Sequence, residues 1–393
     1  MSLKRFIRLK ELGLNLDKVY IPSADYLHTR DSLNSHEIYR VQTNSEGNQL
    51  SPWGSNSSKH IYLLGDSSIE AIYIRASMKP QSVLERLLLE NRYDYKVFNL
   101  GVSGAQTLNI INLIINKLGN KKQSTVVVSV PSNDASTLRL KENYYSDDWR
   151  YASIVPATNR DPEITNEIDY DPFIKNIKMI IELCDILQLQ LFMTSIIYTG
   201  NNIYYEKLNK ITSEICLSKN IPFINLEKGL KEAKELFYDP LHLLSCGSNY
   251  YAKRVYEAIK PGLEIDNHVS MKSYIICNNT LLTKDLIWSE RFDVSQRSIV
   301  KIVIDAEYPN GFESKQVLMA VDYGSENIKS DLARSDNKEI GYFKYINGPE
   351  GKKIEKIIEL QIPEGCNKLR IGLRGWRCYD VKVHHSYISV INV

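Results

Sequence analysis

The stretch from His60 to Ser68, His-Ile-Tyr-Leu-Leu-Gly-Asp-Ser-Ser, decides the fold, because an apolar run ends there in a Gly-Asp-Ser turn and a helical pattern follows. A serine in such a turn has its hydroxyl at the carboxyl-terminal edge of the sheet, where open α/β folds bind ligands. The helix after the turn offers backbone N–H groups to a developing oxyanion. Ser67 is therefore a candidate nucleophile, although the same turn also serves as an ordinary helix cap.

Outward from this turn, residues 60–265 alternate between short β-rich runs and helical runs. The alternation predicts βαβ units around a parallel sheet. The valine-rich run at 124–130 is continuous, as in a strand buried on both faces. The predicted strands are 60–64, 95–100, 124–130, 189–195 and 222–225, and the predicted helices are 82–90, 106–118, 173–187, 204–218 and 245–259.

A loop of some forty residues, from Pro131 to Asp171, interrupts this rhythm and is too long for a mere connector, so it is a candidate binding loop or lid. It is rich in aromatic residues that offer a stacking surface for a sugar ring. Packing of these rings against the body of the protein is an equally open alternative. The aromatic residues proposed for substrate binding are Tyr144, Tyr145, Trp149 and Tyr151.

After Pro261-Gly262 the pattern changes to short β-type runs separated by Asn, Asp, Gly and Pro clusters. Several short strands with turn signals predict an all-β sandwich or jelly roll. We therefore divide the chain into an N-terminal extension packed on the catalytic domain (1–59), a catalytic domain (60–265) and a β-sandwich accessory domain (266–393). The predicted strands of the last part are 273–277, 298–305, 316–321, 342–346, 354–362, 368–373 and 386–391.

The composition is that of a globular protein, with 43% hydrophobic and 24% charged residues among 393. The formal net charge of +2 gives no electrostatic footprint for nucleic acid. Six scattered cysteines without a C-x-x-C pair argue against a metal site and a disulfide framework. No apolar run approaches the roughly 18–20 residues of a membrane span. Nothing in this composition predicts an oligomeric state.

The first eleven residues do not fit a secretory signal, because Arg8, Lys10 and Glu11 interrupt any apolar region. The pattern favours a short amphipathic helix instead. A cytoplasmic protein with reduced thiols is the corresponding expectation.

A candidate base and acid stand just before the last predicted helix, in Asp239-Pro240-Leu241-His242. A serine nucleophile needs a base within hydrogen-bond reach, and the base needs an orienting group. His242 fits the base. Asp239 or a backbone carbonyl fits the orienting role, and an exposed histidine beside a turn aspartate is the alternative.

Two further strand ends carry residues that suit an oxyanion hole. Gly104 follows the second predicted strand within Asn99-Leu-Gly-Val-Ser-Gly, and Asn133 follows the third within Pro131-Ser-Asn-Asp. The bare backbone N–H of Gly104, the side-chain amide of Asn133 and the N–H of Ser67 together make three donors. Each motif taken singly also fits ordinary turn chemistry.

As a set, these motifs resemble the SGNH (GDSL-type) hydrolase family. Four blocks occur in the family's order over about residues 60–260: Gly65-Asp66-Ser67, Asn99-x-Gly101-x-Ser103-Gly104, Ser132-Asn133-Asp134 and Asp239-x-x-His242. The resemblance implies a flavodoxin-like three-layer α/β/α fold with nucleophile Ser67, base His242, supporting Asp239, and oxyanion donors Ser67, Gly104 and Asn133. One departure is Pro131, where the family's third block has glycine, which leaves the geometry of that loop open.

By this chemistry, Ser67 forms an acyl-serine from an ester, and the acceptor then decides the reaction. With water as the acceptor, the protein is an esterase that removes short acyl groups from a carbohydrate, with acetyl as the leading candidate. A sugar hydroxyl gives a polysaccharide O-acetyltransferase. Hydrolysis needs no cofactor, whereas transfer would use acetyl-CoA as donor. The β-rich region resembles carbohydrate-binding modules, and a non-catalytic glycan-binding protein is the third alternative.

Overall fold

The computed structural model describes residues 4–392 apart from 29, 31, 55, 166, 312–315 and 326–327. Residues 1–3, at the head of the expected amphipathic helix, lie outside this range. The helix prediction is wrong for the next residues of the chain, because Phe6–Ile7 is a strand that pairs antiparallel with Ile154–Val155 of the long loop and takes its hydrogen bonds there. The elements of this N-terminal segment are β1 (Phe6–Ile7), β2 (Asp17–Tyr20), α1 (Ala24–Leu27) and β3 (Glu37–Gln42).

Strands and helices alternate through the middle of the chain, as the pattern predicts. The strands are β4 (His60–Leu64), β5 (Lys96–Asn99), β6 (Thr125–Ser129), β7 (Ile154–Val155), β8 (Gln190–Thr194) and β9 (Phe223–Ile224). The helices are α2 (Ser67–Glu70), α3 (Pro80–Glu90), α4 (Thr107–Leu113, continued by a π turn Ile114–Leu118), α5 (Asn133–Thr137), α6 (Asp171–Ile186), α7 (Ile203–Ser218), α8 (Glu227–Leu230) and α9 (Ser245–Ile259), with short 3-10 turns at Ala76–Met78, Asn143–Tyr145, Lys234–Leu236 and Lys260–Gly262.

The central sheet has five parallel strands in the order β5-β4-β6-β8-β9, the order of flavodoxin-like folds. Its two faces are apolar because alternate residues of each strand point to opposite sides. Tyr62 and Leu64 pack with α4, α6 and α7, whereas Ile61 and Leu63 pack with α3 and α9. The sheet is thus covered on both sides, and its carboxyl ends carry the Ser67, Gly104 and Asn133 loops.

The C-terminal part holds two sheets around one shared core. One has the order β10-β19-β13-β17-β3-β2, and the other runs β11-β18-β14-β16-β15 with β12 on β18. Residues of both sheets, such as Ile302, Ile388, Met319 and Ile371, share that core. The strands are β10 (Ser270–Leu281), β11 (Ile287–Trp288), β12 (Phe292–Asp293), β13 (Ile299–Glu307), β14 (Val317–Asp322), β15 (Ala333–Arg334), β16 (Tyr342–Ile346), β17 (Lys353–Leu360), β18 (Lys368–Gly375) and β19 (Lys382–Asn392).

The N-terminal segment ties the two larger parts together. β3 pairs in parallel with β17 and so extends a sheet of the C-terminal part, a pairing that the sequence pattern did not predict. At the same junction, Arg75 of the α/β part forms ion pairs with Glu37 of β3 at 2.7 Å and with Asp305 of β13 at 2.8 Å. The division at residue 59 stays a prediction. The contacts show that the N-terminal segment packs against both the α/β part and the C-terminal part.

In the described part of the chain, no helix is long and apolar enough to cross a membrane.

Trp53 fills the junction where the N-terminal segment, α3 and the C-terminal sheet meet. Its side chain is fully buried, its indole N–H donates to the carbonyl oxygen of Ser82 at 2.6 Å, and it packs with Leu89, Met271 and Tyr387. Trp53→Ala removes these contacts and leaves a cavity, so we expect a loss of about 3–5 kcal/mol in the free energy of unfolding. Urea unfolding followed by circular dichroism measures this loss.

The matched control is Trp149→Ala, which removes an indole that is 46% exposed and should change the unfolding free energy by less than about 1 kcal/mol. Equal losses for the two variants would contradict the role of Trp53 at this junction.

Candidate active site

Ser67, His242 and Asp239 form a connected chain of hydrogen bonds at the carboxyl edge of the central sheet. The Nε2 atom of His242 lies 2.8 Å from the Oγ of Ser67. Its Nδ1 atom lies 2.8 Å from both carboxylate oxygens of Asp239. Because a carboxylate only accepts, Nδ1 carries the proton and Nε2 is free to accept the proton of the Ser67 hydroxyl. The arrangement is that of a nucleophile, a base and an orienting acid.

The carboxylate of Asp239 is held in place by its own turn as well as by the His242 ring. Its Oδ1 atom accepts the backbone N–H groups of Leu241 and His242, both at 2.9 Å, which is how an aspartate caps its own turn. Burial raises the pKa of Asp239, but the hydrogen bond and charge of His242 and these N–H groups outweigh it and hold the pKa at about 2. Asp239 is therefore ionised at every pH at which the protein would be assayed.

Arg30 of the N-terminal segment contacts the same carboxylate. Its Nε atom donates to Asp239 Oδ2 at 3.2 Å, and its guanidinium lies 3.9 Å from the ring centre of Tyr26 in α1. Sequence reasoning missed Arg30, because nothing in the local pattern links it to a residue so far along the chain. Tyr238, whose ring stacks on His242 at 5.4 Å between centres, was also missed despite its place beside Asp239.

The carboxylate of Asp66 joins two strand-end loops. Its Oδ1 atom accepts the N–H and hydroxyl of Ser68 at 3.0 and 2.7 Å. Its Oδ2 atom accepts the N–H and hydroxyl of Ser132, both at 2.7 Å, and lies 3.4 Å from Nδ2 of Asn133. Asp66 is also the N-cap residue of α2, which begins at Ser67. One side chain thus holds the serine turn against the third loop.

The second loop is held against α2 by close packing and by Glu70. The N–H and the hydroxyl of Ser103 both donate to the buried carboxylate of Glu70, the former at 2.6 Å. Asn99 turns the chain by accepting the N–H of Gly101 at 2.8 Å. A Cβ atom on Gly101 would lie 2.5 Å from the backbone nitrogen of Glu70, so only glycine fits there.

The three predicted oxyanion donors lie on these three tied loops. Gly104 adopts a φ of +73°, which favours glycine. In the described part of the chain, the backbone N–H groups of Ser67 and Gly104 have no hydrogen-bond acceptor. The amide of Asn133 donates to Ala105 O at 3.0 Å and lies 3.4 Å from Asp66 Oδ2. The structure brings the three loops to one edge, and the donor role of each group stays a prediction.

The four aromatic residues proposed for sugar binding do not share one environment. Tyr144 is only 2% exposed and its hydroxyl donates to the buried Asp134, so the stacking role proposed for Tyr144 is wrong. Tyr145 is 72% exposed and Trp149 is 46% exposed. Tyr151 is half-buried beneath the guanidinium of Arg150. Stacking on a ligand stays a prediction for these three.

The described residues contain no group of three or more His, Cys, Asp or Glu side chains arranged to hold a metal ion.

No protein-family model and no curated protein matches the chain. Solved structures are similar to about half of it. A lipase/acylhydrolase from Enterococcus faecalis is 20% identical with a TM-score of 0.41, and the match covers 53% of this chain and 99% of that one. An acetyl xylan esterase, AlAXEase, is 17% identical with a TM-score of 0.39, covering 51% and 99%. A GDSL-like lipase from Bacteroides thetaiotaomicron is 15% identical with a TM-score of 0.36, covering 53% and 90%.

Arg30 acts through Asp239, so we expect it to position the acid rather than to touch a reacting group. Arg30→Gln should slow the labelling of Ser67 by a fluorophosphonate about three- to tenfold, since a partly buried charge-assisted hydrogen bond is lost. Arg30→Lys, which keeps the charge, should restore part of the rate. Labelling rates measured by mass spectrometry check both expectations.

The control for this pair is Arg254→Gln, on the exposed face of α9. It should leave the labelling rate unchanged. A rate for Arg30→Gln equal to that of the parent protein would show that Asp239 is held by its own turn alone.

Proposed function

We propose that this protein is a serine ester hydrolase that removes short acyl groups from a carbohydrate, with acetyl as the leading candidate. The observation that carries the proposal is the continuous relay from Ser67 through His242 to Asp239, with 2.8 Å at each step. A serine hydroxyl with a base at this distance, and an acid behind the base, is the arrangement that activates serine for attack on an ester.

The proposed reaction has two steps. Ser67 Oγ attacks the ester carbonyl as its proton passes to His242 Nε2, and Asp239 stabilises the imidazolium that forms. The tetrahedral oxyanion is stabilised by N–H donors of Ser67, Gly104 and Asn133. As the intermediate collapses, His242 returns the proton to the leaving alcohol, and an acyl-serine remains. Water then attacks with His242 as base, which releases the acid and restores the Ser67 hydroxyl.

Two features support a carbohydrate as the alcohol. The exposed rings of Tyr145 and Trp149 lie on the long loop that follows the third strand end, and exposed aromatic rings offer flat apolar faces to sugars. The two sheets of the C-terminal part fit the predicted resemblance to carbohydrate-binding modules, which stays a proposal. Transfer of the acyl group to a sugar hydroxyl would pass through the same acyl-serine, so kinetics must separate transfer from hydrolysis.

Ser67→Ala removes the nucleophile and should lower kcat/KM at least about 10³-fold for p-nitrophenyl acetate and for a 2-O-acetylated methyl glucoside. Acetate release and chromogenic assays measure this loss. The matched control, Ser218→Ala at the exposed end of α7, should retain the parent activity. Equal, near-zero rates in the parent protein and Ser67→Ala would overturn the proposed hydrolase.

The same proteins are then incubated with acetyl-CoA and deacetylated methyl glucoside. Acetate release faster than acetyl-glucoside formation supports hydrolysis. Transfer that outpaces hydrolysis would replace the esterase by an acetyltransferase with the same nucleophile.

His242→Ala removes the proposed base and should abolish turnover of both esters, because the Ser67 hydroxyl then has no acceptor for its proton. His268→Ala, at an exposed turn, is the control and should retain turnover. Circular dichroism verifies that both variants fold. Undiminished turnover by folded His242→Ala would show that another group is the base.

A further inference from the structure

An open cavity of about 360 Å³ adjoins the second strand-end loop and is lined by side chains of the N-terminal segment and of the long loop. Three of its lining residues are cations: Arg8, Lys10 and Arg150. Ser103 lines the cavity on the side of the second loop, and the half-exposed Trp149 supplies an aromatic ring. The mechanism proposed above uses none of the cations.

The cavity lies beside the loop of Gly104, one of the three proposed oxyanion donors. The ammonium group of Lys10 is buried and donates to the carbonyl oxygen of Gly104 at 2.7 Å and to that of Arg150 at 3.1 Å. Arg8 donates to the carbonyl oxygen of Trp149 at 3.0 Å. Backbone carbonyl groups thus hold Arg8 and Lys10 in the wall of the cavity. Lys10 contacts Gly104, whose N–H is proposed to hold the oxyanion.

The contacts of these cations are made to backbone carbonyl groups and to an aromatic ring. In the part of the chain that the structure describes, Arg8 and Lys10 bond backbone carbonyl groups, and the Arg150 guanidinium lies 5.3 Å from the ring centre of Tyr151. None of the three forms an ion pair with a carboxylate there. Burial and repulsion from Arg8 and Arg150 lower the pKa of Lys10 to about 8, and attraction to the nearby carboxylates of Glu70 and Asp148 opposes this shift only in part.

The neighbouring carboxylates have other partners. Glu11 at the rim forms an ion pair with Lys117 at 2.7 Å. Asp148 is buried and accepts the backbone N–H groups of Arg150 and Tyr151 at 2.9 and 2.7 Å. The arginines of the cavity would favour a negatively charged ligand, because charge-assisted hydrogen bonds from arginine to an anion are stronger than bonds to carbonyl groups.

We propose that this cavity binds an anionic group, a carboxylate or a phosphate, on the sugar whose ester is cleaved. Arg8 and Arg150 bind the anion, and Trp149 stacks on the sugar ring. The inference rests on the proposed ester hydrolysis and names its substrate class: an acylated acidic sugar or sugar phosphate. Neutral esters lack the anion and are the poorer substrates.

The kinetic test uses three 2-O-acetylated methyl glycosides that differ only at C6: a glucoside with a free 6-hydroxyl, a glucuronoside whose C6 is a carboxylate, and a glucoside 6-phosphate. In the parent protein, we expect kcat/KM for at least one anionic substrate to exceed that for the neutral one about tenfold or more. Increasing the salt concentration should reduce this ratio, because salt screens exposed charges. The better of the two anionic substrates identifies the source of the charge.

In Arg8→Gln and Arg150→Gln, the ratio of anionic to neutral kcat/KM should fall about three- to tenfold, and the ratio cancels any general loss of activity. Arg254→Gln is the matched control and should keep the parent ratio. A parent ratio near one for both anions, or ratios that neither variant changes, would overturn the proposed subsite while leaving the esterase intact.

Binding is measured separately with Ser67→Ala, by saturation-transfer NMR with the deacetylated glucuronoside and glucoside 6-phosphate. If either anion binds to Ser67→Ala and binds more weakly to Ser67→Ala/Arg150→Gln, the subsite is supported even when no ester is cleaved. The binding result therefore distinguishes failure of the proposed hydrolase from failure of the proposed subsite. Equal binding of the neutral glucoside and both anions would overturn the subsite.

Discussion

The buried carboxylate of Asp66 is the constraint on which the active-site geometry depends. It is 2% exposed, and both of its oxygens accept hydrogen bonds, from Ser68 on one side and from Ser132 on the other. An apolar side chain of similar size would leave these buried donors unpaired, at a cost of about 1–3 kcal/mol for each such group. Asp66, which directly precedes Ser67, therefore sets the distance between the first and third loops.

Two further supports of the candidate site come from outside the α/β part. Lys10 donates to the Gly104 carbonyl and Arg30 donates to Asp239, so the N-terminal segment contacts both the second loop and the Asp239 turn of the candidate site. β3 anchors this segment on β17. The N-terminal segment therefore supports the candidate active site directly.

Much of the fold was predictable, because hydrophobic periodicity depends on local sequence. The strands at 60–64 and 342–346 and the helix at 245–259 have the predicted bounds, and the parallel arrangement of the central strands agrees with the βαβ rhythm. The grouping of Ser67, His242 and Asp239 was also predictable, since a serine nucleophile needs a base and an orienting acid and the motifs together resemble one hydrolase family.

The parts that escaped prediction depend on contacts between distant residues. Arg30 lies in a segment without a helix or strand signal of its own, and β3 finds its partner in β17 near the other end of the chain. Tyr144 carries the same ring as Tyr145, yet one is buried on Asp134 and the other is exposed. Local sequence does not distinguish such neighbours, because burial is decided by what packs against them.

The parallel pairing of β3 with β17 has a consequence for the order of events during synthesis. A chain that leaves the ribosome contains Ser67, Asp239 and His242 well before it contains Lys353–Leu360, the strand that holds β3. The pairing of β3 with β17 can form only after that later strand has been made. The segment that carries Arg30 therefore gains this support late in synthesis, after Ser67, Asp239 and His242 have already been made.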